Sequence, residues 1–227
     1  MWLTQSSIGR KVVMSVTGLA LILFMTFHAC MNVVAIFSGE AYNTICEMLG
    51  ANWYAVVATA GLGALVAAHF VFAVILTLQN RKARGASRYA VTDRPNTVEW
   101  SSQNMFVLGV IICLGMLLHL GQFWLNMMYA EIFNGGFAIC YNDVMAHDGY
   151  ELIKRTFANP INVVLYLVWF VAIWFHMTHG MWSGLQTLGA SGKTWFSRIK
   201  CISYVYSTII MALFAIVVLY FGLGCAE

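Results

Sequence analysis

Six histidines carry most of the chemistry that this chain could perform. Five of them, His28, His69, His119, His176 and His179, lie inside long apolar stretches, and only His147 lies in a polar connection. Imidazole titrates near neutrality, and its neutral form binds transition metals. A lone histidine among apolar residues commonly does no more than satisfy a packing contact. Four apolar stretches that each hold at least one are different, because polar side chains are costly in lipid and are retained there for function. Three chemistries suit such a set: ligation of haem iron, a compact transition-metal site and a proton relay.

Positioning these side chains falls to five stretches, each longer than the roughly 20 residues a helix needs to cross a bilayer. They run approximately Val12–Phe37, Trp53–Leu78, Asn104–Tyr129, Ile161–Leu188 and Cys201–Leu223. The 227 residues are 61% hydrophobic and only 9% charged, with a mean hydropathy of +0.77. A soluble domain carries about 25% charged residues, so a soluble enzyme is excluded. Disorder is excluded too, since it needs low hydrophobicity and high net charge. No short segments of alternating polarity suggest a barrel. The expectation is an all-α integral membrane protein with five transmembrane helices in one domain spanning residues 1–227. The first stretch is too long for the core of a cleavable signal peptide.

The basic residues orient the spans. Arg10 and Lys11 precede the first; Arg81, Lys82, Arg84, Arg88 and Arg94 lie between the second and third; Lys193, Arg198 and Lys200 fall before or at the start of the fifth. All of these share one side if the spans alternate, while Lys154 and Arg155 lie on the other, beside Glu131, Asp143, Asp148 and Glu151. Positive charge stays inside, so the N-terminus is expected in the cytoplasm and the C-terminus outside. The 81–103 connection is basic, with a turn at Asp93-Arg94-Pro95-Asn96. The 130–159 connection is long and broken by Gly135-Gly136 and Asp148-Gly149.

Depth then sorts the histidines. His28 and His119 lie about 23–25 Å from the inner ends of their outward-running spans, at 1.5 Å per residue. His69 and His179 lie about 14–15 Å from the inner ends of theirs. Two pairs at two levels, about 10 Å apart, suit two stacked bis-histidine haems, each iron taking one imidazole from each of two facing helices. A compact metal site would gather its ligands at one depth. A relay would recruit Asp or Glu within the spans, and there is none. Glycines allow a haem edge to approach a helix that does not ligate it. Gly18 and Gly109 each stand ten residues before a histidine, at the inner level, and Gly61 and Gly63 stand at the outer level. His176 and His179 share a helix face; His179 matches His69 in depth and is followed by Gly180, so it is taken as the ligand. His176 is left to a haem propionate, proton movement or a packing contact.

Nucleotide fingerprints are absent, and the six cysteines form no CxxC. The chain therefore needs a redox partner and a membrane-soluble carrier, most simply a quinone. Cys46, Cys140 and Cys225 fall on the outer side, where a disulfide could form.

One histidine in each of the first four of five spans resembles the single-chain dihaem cytochrome b subunit of succinate dehydrogenases and fumarate reductases. Ser15-Val16-Thr17-Gly18, with His28 ten residues after the glycine, looks like that family's first span, and His179-Gly180-Met181-Trp182-Ser183-Gly184-Leu185-Gln186-Thr187-Leu188-Gly189 looks like its fourth. The resemblance implies four helices bundled around two haems b, with His69 and His179 on the proximal iron and His28 and His119 on the distal one. It implies a flavoprotein with FAD and an iron–sulfur protein, both docked on the cytoplasmic face of a bacterial-type inner membrane, and assembly that extends to a dimer of heterotrimers. Menaquinone would react near the distal haem, with Glu47, or secondarily Glu40, as the acid at its site. Ser15, Arg10 and Lys193 would sit near haem propionates. Some members carry an acid two residues before the fourth-span histidine, where this chain has Met177. The rival readings are the dihaem cytochrome b of a hydrogenase or formate dehydrogenase, and a haem-free transporter with histidine-lined helices.

Overall fold

The structure is a computed structural model, and it describes residues 6–84 and 99–225. Arg88, Arg94 and the turn expected at 93–96 lie outside the described residues. Among those described there is no β-strand, only an isolated antiparallel bridge between Phe137 and Met145. Five helices are long and apolar enough to cross a membrane: α1 (Ser7–Phe37), α3 (Trp53–Arg84), α4 (Trp100–Phe133), α6 (Pro160–Thr187) and α7 (Phe196–Gly222). Two shorter helices, α2 (Gly39–Met48) and α5 (Gly149–Phe157), lie in the connections at the end of the bundle away from Ser7; that end is labelled outer and the Ser7 end inner, after the positive-inside expectation.

The helices outrun the apolar stretches mainly at the inner end. α1 begins at Ser7 rather than Val12, and α3 continues to Arg84 rather than stopping at Leu78. Hydropathy marks the apolar thickness, whereas a helix continues until its end groups find other partners. For α1 that partner is the Ser6 hydroxyl, which accepts from the Gly9 N–H at 2.9 Å. Asn159 caps α6 in the same way, accepting from Ile161 N at 3.0 Å. Pro160 follows at the first helical position, where its missing N–H costs nothing.

α2 is absent from the sequence expectation. Ser38 swings to an extended conformation, φ −159°, which stops α1, and its hydroxyl accepts from Ala41 N to start the new helix. The 130–159 connection is likewise more ordered than its glycines suggest. Gly135 and Gly136 take φ of 63° and 83°, open to glycine without strain, and turn the chain back. Asp148, expected as a breaker, is the N-cap of α5 and accepts from Glu151 N. It also accepts from the Asn43 side chain at 2.8 Å, tying α5 to α2. Burial pushes the Cys46 thiol up to about 11, and all six cysteines are free.

α6 is central. It packs along α7, α1 and α4, while α1 also packs on α3 and α7. α7 carries no histidine and is the most buried of the five spans; α3 is the least buried and meets α4 only slightly. In lipid, apolar burial does not drive helices together, so close packing of small residues and interhelical hydrogen bonds must. Ser203 and Ser207 of α7 are fully buried. Trp174 of α6 donates to Thr208 of α7 at 2.9 Å, and Thr26 of α1 bonds Tyr206. Each such bond contributes about 0.6 kcal/mol. α7 thus braces α1 and α6, and its Phe214 packs against His28 with ring centroids 5.7 Å apart.

Candidate functional site

α1 and α4 bring His28 and His119 together, with ring centroids 5.8 Å apart and the rings nearly perpendicular at 84°. α3 and α6 bring His69 to His176, with centroids 6.2 Å apart and rings at 70°. Two imidazoles whose nitrogens each lie about 2 Å from one metal ion have ring centres about 6 Å apart. Both pairs have that spacing. The five span histidines are all partly accessible rather than sealed in side-chain packing.

The glycines locate the inner level. A Cβ on Gly18 would meet His69 Cε1 at 3.1 Å, and one on Gly109 would meet His176 Cε1 at 4.0 Å. Ten residues of α1 separate Gly18 from His28, or about 15 Å of helix. The pairs are therefore stacked along the bundle. Gly61 and Gly63 of α3 face open space, with no atom within 4 Å of a built Cβ.

His179 is not the residue that meets His69. One turn inward of His176, its Nδ1 lies 3.5 Å from Glu99 Oε2, and its ring lies edge-on to Trp182 with centroids 4.7 Å apart. Glu99 also bonds Lys200 and accepts from Tyr204, 3.3 Å away. Burial alone would raise the Glu99 carboxyl, but the ammonium of Lys200 and the ring of His179 outweigh it and hold the pKa below the ordinary value. His179 is thus anchored in a polar cluster at the inner end, while His176 Nδ1 is buried without a hydrogen-bond partner. Counting depth along the chain favours His179 because it assumes straight spans of equal tilt. The contacts of Gly18 with His69 and Gly109 with His176 give the actual register.

Three of the four paired rings have a neighbour at Nδ1. Thr17 Oγ1 lies 3.1 Å from His69 Nδ1. The Tyr166 hydroxyl lies 3.4 Å from His119 Nδ1 and donates to Gln122 Oε1 at 2.8 Å. Gln122 Nε2 donates to Asn162, whose own amide donates to the Thr156 carbonyl, so this chain reaches α5. Asn32 Nδ2 sits 3.5 Å from His28 Nδ1 and donates to the His28 carbonyl. Past His119 the helix widens to a π-helix over Leu120–Tyr129, a departure frequent at functional sites. Asn126, almost wholly buried, donates to the Gly121 and Gln122 carbonyls there and accepts from Cys140 N at 2.7 Å.

The remaining sequence candidates lie further out. Ser15 is buried against Gly184 of α6, and its hydroxyl donates to the Lys11 carbonyl of its own helix. Arg10 is half-buried on the first turns of α1, and Lys193 is exposed in the α6–α7 connection. Glu47 and Glu40 are exposed on α2 at the outer end. Thr17, Gln122, Tyr166, Asn126 and Glu99 are site residues that the sequence alone does not single out. Of these, only Thr17 carries a signal, as the residue preceding Gly18.

Among the described residues no three His, Cys, Asp or Glu side chains converge on one point. A bare transition metal would want at least a third protein ligand. Haem brings four nitrogens of its own and needs two axial imidazoles, so the donor set fits haem better. The unpartnered His176 Nδ1 and the glycines set against the inner pair fit it as well. No family model, curated protein or solved structure matches the chain. The functional reading therefore rests on the geometry of these two pairs.

Proposed function

We propose that this chain is the dihaem cytochrome b anchor of a succinate:quinone or quinol:fumarate oxidoreductase. The observation that carries the proposal is the stacking of two imidazole pairs, at 5.8 and 6.2 Å, within a five-span helical chain. His28 and His119 would hold the outer haem, and His69 and His176 the inner one. Gly18 and Gly109 leave the inner pair room, while Gly61 and Gly63 open α3 at the outer level. Two haems b held in this way supply one-electron carriers at two depths, the chemistry needed to join a cytoplasmic dehydrogenase to quinone in the membrane.

The chain's own residues orient and shield. Thr17 and Tyr166 present oxygens to Nδ1 of His69 and His119, and outer groups of this kind set ligand orientation and basicity. α7 closes the bundle behind α1 and α6. Arg81, Lys82, Lys193 and Lys200 lie at the end that the positive-inside rule assigns to the cytoplasm, and this is the face on which a flavoprotein and an iron–sulfur subunit would dock. Glu47, exposed at the outer end, is the candidate acid for a menaquinone headgroup.

Purification of the tagged chain from its native membranes tests the assignment. A covalent flavoprotein and an iron–sulfur protein are expected to co-purify, and the complex is expected to couple succinate oxidation or fumarate reduction to a quinone analogue. Recovery with a hydrogenase or formate dehydrogenase subunit would move the chain to that class of cytochrome b. Recovery without any redox partner would remove the proposal.

A further inference from the structure

We propose that Thr17 is a positioning residue that fixes the tautomer and orientation of His69, an inference that rests on the haem reading above. The geometry favours one arrangement of hydrogens. Thr17 Oγ1 lies 2.8 Å from the Val13 carbonyl and 3.1 Å from the Met14 carbonyl, both acceptors only. Two carbonyls of its own helix thus compete for its single hydrogen, the nearer at 2.8 Å. The same oxygen lies 3.1 Å from His69 Nδ1 across the α1–α3 contact. With that hydrogen on its own helix the hydroxyl accepts from the ring, which then carries its hydrogen on Nδ1, where the Met14 carbonyl is a second acceptor. Nε2 is then left with its lone pair, the form that ligates a metal.

The placement is specific. Thr17 is 6% exposed, so water does not compete for the bond. Gly18, the next residue, is the one whose missing Cβ leaves the His69 ring its position, since a methyl there would stand 3.1 Å from Cε1. α3 is the least buried span and rests chiefly on α1. The His69 ring is held by His176 across the pair, by the close backbone at Gly18 and by the Thr17 hydroxyl, the side-chain hydrogen-bond partner at its Nδ1.

An acceptor at Nδ1 makes an imidazole a stronger donor and favours the ferric ion, and loss of such a partner typically weakens metal binding 10–100-fold. Thr17→Val removes the acceptor and keeps the shape, while Thr17→Ser keeps the acceptor and loses a methyl. The test is a potentiometric titration of the purified complex with low-spin EPR, the inner haem being assigned by its loss in His69→Ala. Thr17→Val is expected to shift the inner haem about tenfold towards the reduced form, roughly +59 mV for one electron, or to lose it. Thr17→Ser is expected to restore the parental potential and signal, and the outer haem should be unchanged in both. If Thr17→Val fails to accumulate, Thr17→Ala takes its place, with the outer haem as the control for folding.

An inner haem unaltered in Thr17→Val would overturn the inference while leaving the haem reading intact. So would a Thr17→Ser variant as defective as Thr17→Val, because shape and not the hydroxyl would then matter. A parental complex without haem would overturn the haem reading itself.

Discussion

His176→Ala is expected to abolish the inner haem, while His179→Ala keeps both haems. The two residues lie one turn apart on α6, and a ligand chosen by depth alone would be His179. The contacts separate them. His176 meets the His69 ring at 6.2 Å and keeps a buried nitrogen without a partner. His179 Nδ1 instead faces Glu99, in the same cluster as Lys200 and Tyr204. Removing an axial imidazole deletes an iron bond that nothing nearby replaces, so occupancy should fall from one haem to none at that level. Removing His179 costs one hydrogen bond to a charged group, about 1.5–3 kcal/mol, and leaves Glu99 still paired with Lys200. Haem content per chain in the two variants, with the outer haem as internal standard, checks this. Loss of the inner haem in His179→Ala and its retention in His176→Ala would exchange the two roles.

The second large effect comes from a glycine at the outer level. A Cβ on Gly115 of α4 would overlap the indole of Trp169 on α6, which is itself fixed by a 3.1 Å bond from Nε1 to the Ile112 carbonyl. The indole centroid lies 5.8 Å from that of His119, so the ring cannot retreat without disturbing the ligand. Gly115→Ala is expected to destabilise the bundle by about 1–3 kcal/mol, the usual cost of overpacking a tight contact. It should also lower occupancy of the outer haem while sparing the inner one. Thermal release of haem, followed in the Soret band at the two levels, measures both effects. Gly121→Ala, on the same helix, serves as the control, because the Cβ there would meet nothing within 4 Å. Equal behaviour of the two variants would mean that the α4–α6 contact does not position His119.

The spans are legible in the sequence because lipid leaves a compositional trace. Few structures besides a membrane crossing require an apolar run of that length, and the five expected stretches fall within or close to the five long helices. Pairing His28 with His119 is legible for the same reason, since both spans run outward and depth can be counted from residue number. The inner pair is harder. α3 and α6 run the same way, yet tilt and packing shift their registers, and the choice between His176 and His179 depends on a displacement of one turn. Side-chain partners on other helices leave no trace in the sequence. Nothing in the spacing joins Thr17 to His69, or Tyr166 to both His119 and Gln122, because those contacts exist only after the helices pack. The π-helical widening beyond His119 has no periodic signature either. α2 is hidden because Ser38 starts a new helix in a connection short enough to be spanned by a loop.

Whether each histidine pair holds one haem b is tested most directly by pyridine haemochrome quantitation, with a dithionite-reduced minus oxidised spectrum of the purified protein. Two haems b per chain are expected, falling to one in His28→Ala, His119→Ala or His69→Ala. A parental chain with no haem, or with a content untouched by these three substitutions, would contradict the account and leave the imidazole pairs to a different chemistry.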